Sequence, residues 1–163
     1  MKTLYLLRHA KSGWDNADLS DYERPLNKRG REAAPLVGGV MREKGFIPEL
    51  ILSSPAERAI QTAILIKQTA RLDGKIKFND GIYEASPARL LEIIGALDEK
   101  IASVLLVGHN PGLEGLIRAL TGELHSMPTA ALAVIDLETD GWNDIISSTN
   151  RLRTLIRPKE IST

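Results

Sequence analysis

The stretch Thr3-Leu4-Tyr5-Leu6-Leu7 runs directly into Arg8-His9-Ala10-Lys11-Ser12. A short apolar, β-compatible run of this kind fits a parallel strand covered on both faces better than a strand with one face in water. Arg8 and His9 then fall at its carboxyl end, where an open α/β sheet presents its ligand site. Two more runs repeat the design. Ser103-Val104-Leu105-Leu106-Val107 empties into Gly108-His109-Asn110-Pro111-Gly112, and Leu50-Ile51-Leu52 empties into Ser53-Ser54-Pro55-Ala56-Glu57-Arg58. Three strand ends therefore offer two histidines and two arginines to one crevice.

The segments between these strands are amphipathic at helical spacing, which predicts helices covering a largely parallel sheet. Asn27 is a good N-cap for a first helix carrying Ala33, Leu36, Val37, Val40 and Met41. Pro35 conflicts with that helix and predicts either a kink or a start near Pro35. Ser54 and Pro55 open a second helix that buries Ala59, Ile60, Ala63 and Ile64. Ser86 and Pro87 open a third, with Leu90, Leu91, Ile94 and Leu97. Asn110 and Pro111 open a fourth, with Leu113, Leu116, Ile117 and Leu120, closed by Gly122. Further strands are expected at 76–78, 131–137 and 142–148, the last an antiparallel edge strand because Asp140-Gly141 reads as a hairpin turn. The fold class that follows is α/β, a three-layer α/β/α sandwich.

At 163 residues the chain is long enough for one well-buried domain. The reading is a single domain over 1–156 with a flexible tail over 157–163. Lys plus Arg and Asp plus Glu are equal at 21 each, so no global field recruits nucleic acid or a membrane surface. Any anion site must be local. The absence of cysteine removes thiol nucleophiles, disulfides and cysteine-based zinc sites together, and agrees with a reducing compartment. With no apolar run of membrane-spanning length, the expectation is a cytoplasmic monomer.

Leu7-Arg8-His9, Ser53-Ser54-Pro55 with Arg58-Ala59 and Thr62-Ala63, and Val107-Gly108-His109-Asn110-Pro111 resemble the motifs of the histidine phosphatase superfamily, also called phosphoglycerate mutase-like. Three separated motifs occur in the right order across most of the chain. Asp21 and Arg24-Pro25-Leu26, followed by Gly30, and Tyr83-Glu84-Ala85 look most like the SixA-type phosphohistidine phosphatases within it.

The resemblance implies a phosphatase that needs no metal and no cofactor. His9 is the implied nucleophile, becoming a phosphohistidine, and Arg8, Arg58 and His109 form the implied phosphate pocket. Guanidinium forks suit phosphate oxygens, and an imidazole can accept and release a phosphoryl group near neutral pH. Glu84 matches the place of the family's proton donor. Some SixA-type members lack this acid, since a protonated phosphoramidate nitrogen leaves readily. Ser12 stands where the superfamily often has a phosphate-contacting serine, and Ser54 is a second, weaker candidate besides being a cap. Asp15 occupies a position where mutase-like members carry Asn, and an anion there disfavours a second phosphate. Asp21 and Arg24 read as a local ion pair that shapes a loop.

The implied substrate is a phosphomonoester or phosphoramidate, including a phosphohistidine borne on a protein. A metabolite phosphatase of the same superfamily and a phospho-ligand binding module without turnover are the alternatives. A zinc hydrolase lacks its ligand spacing, and no Gly-x-Gly-x-x-Gly follows any strand, as a dinucleotide site requires.

Overall fold

The computed structural model describes residues 1–161. Its six strands are β1 (Lys2–Arg8), β2 (Leu50–Ser53), β3 (Lys75–Phe78), β4 (Ser103–Gly108), β5 (Leu132–Glu138) and β6 (Thr149–Ile156). Its four α-helices are α1 (Lys28–Lys44), α2 (Glu57–Ala70), α3 (Pro87–Gly95) and α4 (Gly112–Thr121). The strands form one sheet in the order β3-β2-β4-β1-β5-β6. β3, β2, β4 and β1 run parallel, while β5 is antiparallel to both of its neighbours. The sheet is thus mixed, with β6 at its edge.

Both faces are covered, which is why the central strands carry no polar alternation. Leu4, Leu6, Leu52, Val104 and Leu106 pack beneath α3 and α4, with Leu90, Ile94, Leu113 and Leu116. Tyr5, Leu7, Ile51, Leu105 and Val107 pack on the other side against α1 and α2, with Val37, Met41, Ala63 and Ile66. This is the expected three-layer sandwich.

Several local expectations are corrected. α1 runs unbroken through Pro35, because core burial of Ala34 before the proline and of Val37 and Met41 after it outweighs the one backbone bond that its missing N–H costs at Arg31. The inward face of α1 is Gly30, Ala34, Val37, Gly38 and Met41, and Leu36 is exposed. α2 begins at Glu57, two residues after Pro55, and leaves Ile64 exposed. The segment 142–148 is not a strand. Trp142–Asp144 is a 3-10 turn that buries the indole completely, with Nε1 donating to the carbonyl of Ile101 at 2.9 Å. The edge strand follows it. Residues 157–161, expected as tail, form a 3-10 turn at Pro158–Glu160 after which Ile161 packs on the α1/α2 core; the last two residues of that expected tail lie outside the described residues.

Candidate active site

Strand register sets the geometry of the site. β4 lies between β1 and β2, with Arg8 opposite Gly108 and Ser53 opposite Val107. The first residue past each strand is tied to its neighbour: the His9 N–H donates to Gly108 O at 3.1 Å, and the Ser54 N–H donates to Val107 O at 3.0 Å. His9, Ser54 and His109 therefore leave three adjacent strand ends side by side. The histidine rings lie 5.1 Å apart between centroids.

The backbone around His9 is held from two helices. Gly30 of α1 approaches so closely that a Cβ there would sit 2.1 Å from the carbonyl oxygen of Lys11. That same carbonyl accepts the N–H of Asn27, the α1 N-cap, at 3.0 Å. From α2, the Thr62 hydroxyl accepts the Ala10 N–H at 2.9 Å and donates to Arg58 O at 2.7 Å. One threonine thus joins the His9 turn to the Arg58 turn.

His9 is 7 % exposed, and its Nδ1 lies 2.8 Å from the carbonyl oxygen of Ala10. A carbonyl only accepts, so Nδ1 carries the ring proton and Nε2 keeps its lone pair. Burial, opposed by the Ala10 bond and reinforced by His109, Arg58 and Arg8, lowers the His9 pKa to about 3. Burial and the two arginines lower His109 to about 4, with Asp21 acting the other way. Both rings are neutral at ordinary pH. Nε2 of His109 lies 2.7 Å from the Ser54 hydroxyl, which also accepts the Ala56 N–H at 3.2 Å. Ser54 is therefore a partner of His109 as well as a local cap.

Arg8 donates from Nη1 to the carbonyl of Met127 at 3.0 Å. That peptide is fixed in turn by Asn110, whose Nδ2 donates to Met127 O at 2.9 Å, and by Glu114, which accepts the Met127 N–H at 2.9 Å. Arg58, 6 % exposed, donates Nη1 to the backbone carbonyl of Asp21 at 2.8 Å and Nη2 to its carboxylate at 3.1 Å. Asp21 is the junction of the site's rim. It also accepts from Arg24 Nη2 at 3.0 Å and from the Tyr83 hydroxyl at 2.5 Å. Tyr83, then Arg24 and Arg58, hold the Asp21 carboxyl well below the usual carboxylate range, and the Tyr83 hydroxyl is pushed up to about 12 by the same bond. The Tyr83 ring meets His109 edge-on at 5.5 Å.

Buried polar atoms ordinarily find partners. Here Arg8 Nε, Arg58 Nε and His109 Nδ1 are buried without one. Three residues that the sequence assigns to a phosphate pocket each keep a nitrogen unpaired beside a neutral imidazole.

The other candidates make no hydrogen bond to the histidine pair. Ser12 accepts from Arg24 Nη1 at 2.6 Å and so joins the rim network rather than the histidine pair. Glu84 is exposed, stands at φ 54°, and makes no hydrogen bond with Arg8, His9, Arg58 or His109. It follows a 3-10 turn at Asp80–Ile82. Gly112 holds this loop, since a Cβ there would come within 2.3 Å of Ala85 O. Trp14 is exposed, with the Arg24 guanidinium 3.5 Å above its ring. Among the described residues no group of three His, Asp or Glu side chains could hold a metal ion, and no helix is long and apolar enough to cross a membrane.

The model of the histidine phosphatase superfamily, branch 1, matches residues 4–86. The chain belongs to that superfamily. A protein of Agrobacterium tumefaciens provisionally described as the phosphohistidine phosphatase SixA is 33 % identical, with a TM-score of 0.84 over 96 % of this chain and 98 % of that one. A protein histidine phosphatase SixA solved with tungstate is 24 % identical with a TM-score of 0.85, over 98 % and 99 % of the two chains, and shows the shared fold. An uncharacterized chloroplastic protein of Arabidopsis thaliana is 31 % identical over 88 % of this chain and 70 % of its own length.

As a histidine phosphatase the chain is an enzyme that acts on phosphorylated substrates. Its sequence motifs lead to Arg8, His9, Arg58 and His109 but not to their supports. Met127 and Glu114 carry no signal of their own, and Thr62 and Tyr83 stand within the motifs without the motifs indicating what they touch. Asp21 and Arg24 do form the expected local pair, and Asp21 extends it to Arg58 and Tyr83.

Proposed function

We infer that this phosphatase works through a covalent phosphohistidine on His9, without a metal ion, and that its substrate is a phosphohistidine borne on a protein. The observation that carries the reading is the set of three buried, unpartnered nitrogens on Arg8, Arg58 and His109 around an imidazole whose free lone pair is on Nε2. A phosphoryl group brings the acceptor oxygens that these donors lack.

In the first step Nε2 of His9 bonds to phosphorus as the substrate's N–P bond breaks. The departing imidazole, protonated on its other nitrogen, leaves neutral. Positive charge grows on the His9 ring as Nε2 reacts, and the Nδ1–H bond to Ala10 O stabilises it. Arg8 and Arg58 supply fixed charge to the equatorial oxygens, the task that magnesium performs in other phosphoryl transfers. In the second step water attacks phosphorus, the Nε2–P bond breaks, and inorganic phosphate leaves with the protons of the water.

Two observations support phosphohistidine over an ester. The A. tumefaciens relative is provisionally described as a phosphohistidine phosphatase. Glu84, the implied acid for an alkoxide leaving group, is exposed and makes no hydrogen bond with either histidine, whereas a protonated phosphoramidate needs no such acid. The test is kcat/KM, with and without a chelator, for a phosphohistidine carrier protein beside a panel of sugar, alkyl and aryl phosphates. The carrier protein should exceed every ester, with activity retained in the chelator. A sugar phosphate hydrolysed better than the carrier would assign the site to metabolites, and activity restored only by added metal would overturn the metal-free step.

A further inference from the structure

Beside the phosphate pocket lies a separate cleft of about 630 Å³ that reaches Arg8 and is walled by α1, the loop after Met127 and the turn at Pro158–Glu160. Lys11, Arg29, Arg157 and Lys159 join Arg8 in lining it, against the two carboxylates of Glu32 and Glu160. The whole chain is charge-balanced at 21 against 21, so this excess is local. Glu160 is engaged by Arg157 at 3.4 Å, and Glu32 faces Lys28 at 4.0 Å. Among the described residues, Lys11, Arg29 and Lys159 have no carboxylate partner within ion-pair distance.

The wall opposite α1 is built rather than loose. Arg157 donates Nε and Nη2 to the carbonyl of Ser126 at 3.2 and 3.1 Å, and Ile161 packs on the core behind it. Between the cations the lining is apolar, from Ala33, Leu36, Pro128 and Pro158. A free phosphate ion would fill little of such a cleft, whose volume is that of a site for a whole small ligand or a side-chain cluster. Arg8 is shared between the cleft and the pocket, so a ligand spanning both would present its scissile phosphate on one side of that guanidinium and a second anion on the other.

We propose that this cleft is an accessory anion subsite. It takes a second negatively charged group, a carboxylate or a phosphate, carried by the same molecule whose phosphoryl group is removed at His9. The subsite rests on the phosphatase reading and adds a requirement to it: the substrate is anionic at two places. That second anion comes either from acidic side chains flanking a phosphorylated residue or from a further phosphate on a small molecule.

The test measures a ratio, the kcat/KM of a two-anion substrate over that of 4-nitrophenyl phosphate, which has no second anion. One arm compares a phosphohistidine peptide with acidic flanks against the same peptide with alanine flanks. The other compares a sugar bisphosphate with its monophosphate. In at least one arm the two-anion substrate should be preferred, and the double variant Arg29→Gln, Lys159→Gln should lower its ratio to 4-nitrophenyl phosphate by about tenfold, the scale of losing a few partly exposed ion pairs. Lys11→Gln, made separately, should act in the same direction. In the wild type, added salt should depress the two-anion substrate more steeply than 4-nitrophenyl phosphate, a readout that needs no variant. The arm that responds identifies the source of the second anion. Equal kcat/KM for the two members of each arm, with equal salt dependence, would overturn the subsite while leaving the phosphatase reading intact. Failure to hydrolyse any of these phosphates would instead remove the reading on which it rests.

Discussion

Nδ1 of His9 lies 2.8 Å from the carbonyl oxygen of Ala10, the residue that follows it. This one contact fixes the tautomer, since an oxygen that can only accept requires the proton on Nδ1. The lone pair of Nε2 is left free. Burial then keeps the ring from protonating, its pKa lowered to about 3, so the nucleophile is ready as a base without help from a neighbouring carboxylate.

Nitrogen-15 NMR of the histidine rings reads that state directly. His9 should show the Nδ1-protonated neutral form in the free enzyme and should not titrate between pH 8 and pH 5. A midpoint near the ordinary histidine value of about 6.5 would mean that the ring is charged at rest and unfit to attack.

The same burial makes folding sensitive to acid. In the unfolded chain both rings take up protons near pH 6.5, whereas folded His9 and His109 are held at about 3 and about 4. The unfolded state therefore binds more protons below pH 6.5, and stability falls as the pH drops through that window, by up to about 1.4 kcal/mol per pH unit for each ring. Urea-unfolding free energies from pH 7 down to pH 5 should show this slope, and the double variant His9→Asn, His109→Asn should flatten it. A slope that the double variant keeps would place the titrating groups elsewhere.

Gly30 offers a test in which packing and propensity predict opposite signs. Alanine in place of glycine inside a helix ordinarily stabilises by about 1 kcal/mol. At Gly30 the new Cβ would lie 2.1 Å from the backbone carbonyl of Lys11, and such overpacking costs roughly 1–3 kcal/mol. Gly30→Ala should thus lower stability, and turnover with it, because the displaced carbonyl belongs to the turn that carries His9. A more stable Gly30→Ala would show that α1 does not press on that turn.

Glu84 separates substrates by their leaving groups. If its carboxyl protonates a departing oxygen, Glu84→Gln should slow alkyl phosphates severely, a nitrophenyl phosphate much less, and phosphohistidine least. The measurement is kcat/KM for wild type and variant on all three. An equal fractional loss throughout would mean that Glu84 is not a leaving-group acid.

Much of this architecture is legible in the sequence because strands buried on both faces must be apolar along their whole length. Leu4 to Leu7 and Val104 to Val107 are fully apolar apart from a tyrosine hydroxyl, so their ends, and with them Arg8, His9 and His109, can be located from the chain alone. The last strand is not legible in this way. Trp142 has the composition of a strand residue, yet the hydrogen bond from its indole to Ile101 and its complete burial place it in a turn, and the true edge strand is the half-polar Thr149–Ile156 that follows. The site's supports are hidden for another reason. Tyr83 reaches Asp21 across 62 positions, and Arg58 reaches it across 37. No local pattern marks a contact that only the closed sheet creates.

The nucleophilic role of His9 is tested most directly by rapid quenching of the enzyme with phosphorus-32-labelled substrate. The trapped phosphate should be stable in alkali, labile in acid as a phosphoramidate is, and located by mass spectrometry on His9. His9→Ala should trap none and should lose turnover. Near-normal turnover in His9→Ala, or label that survives acid on another residue, would contradict the role assigned to His9.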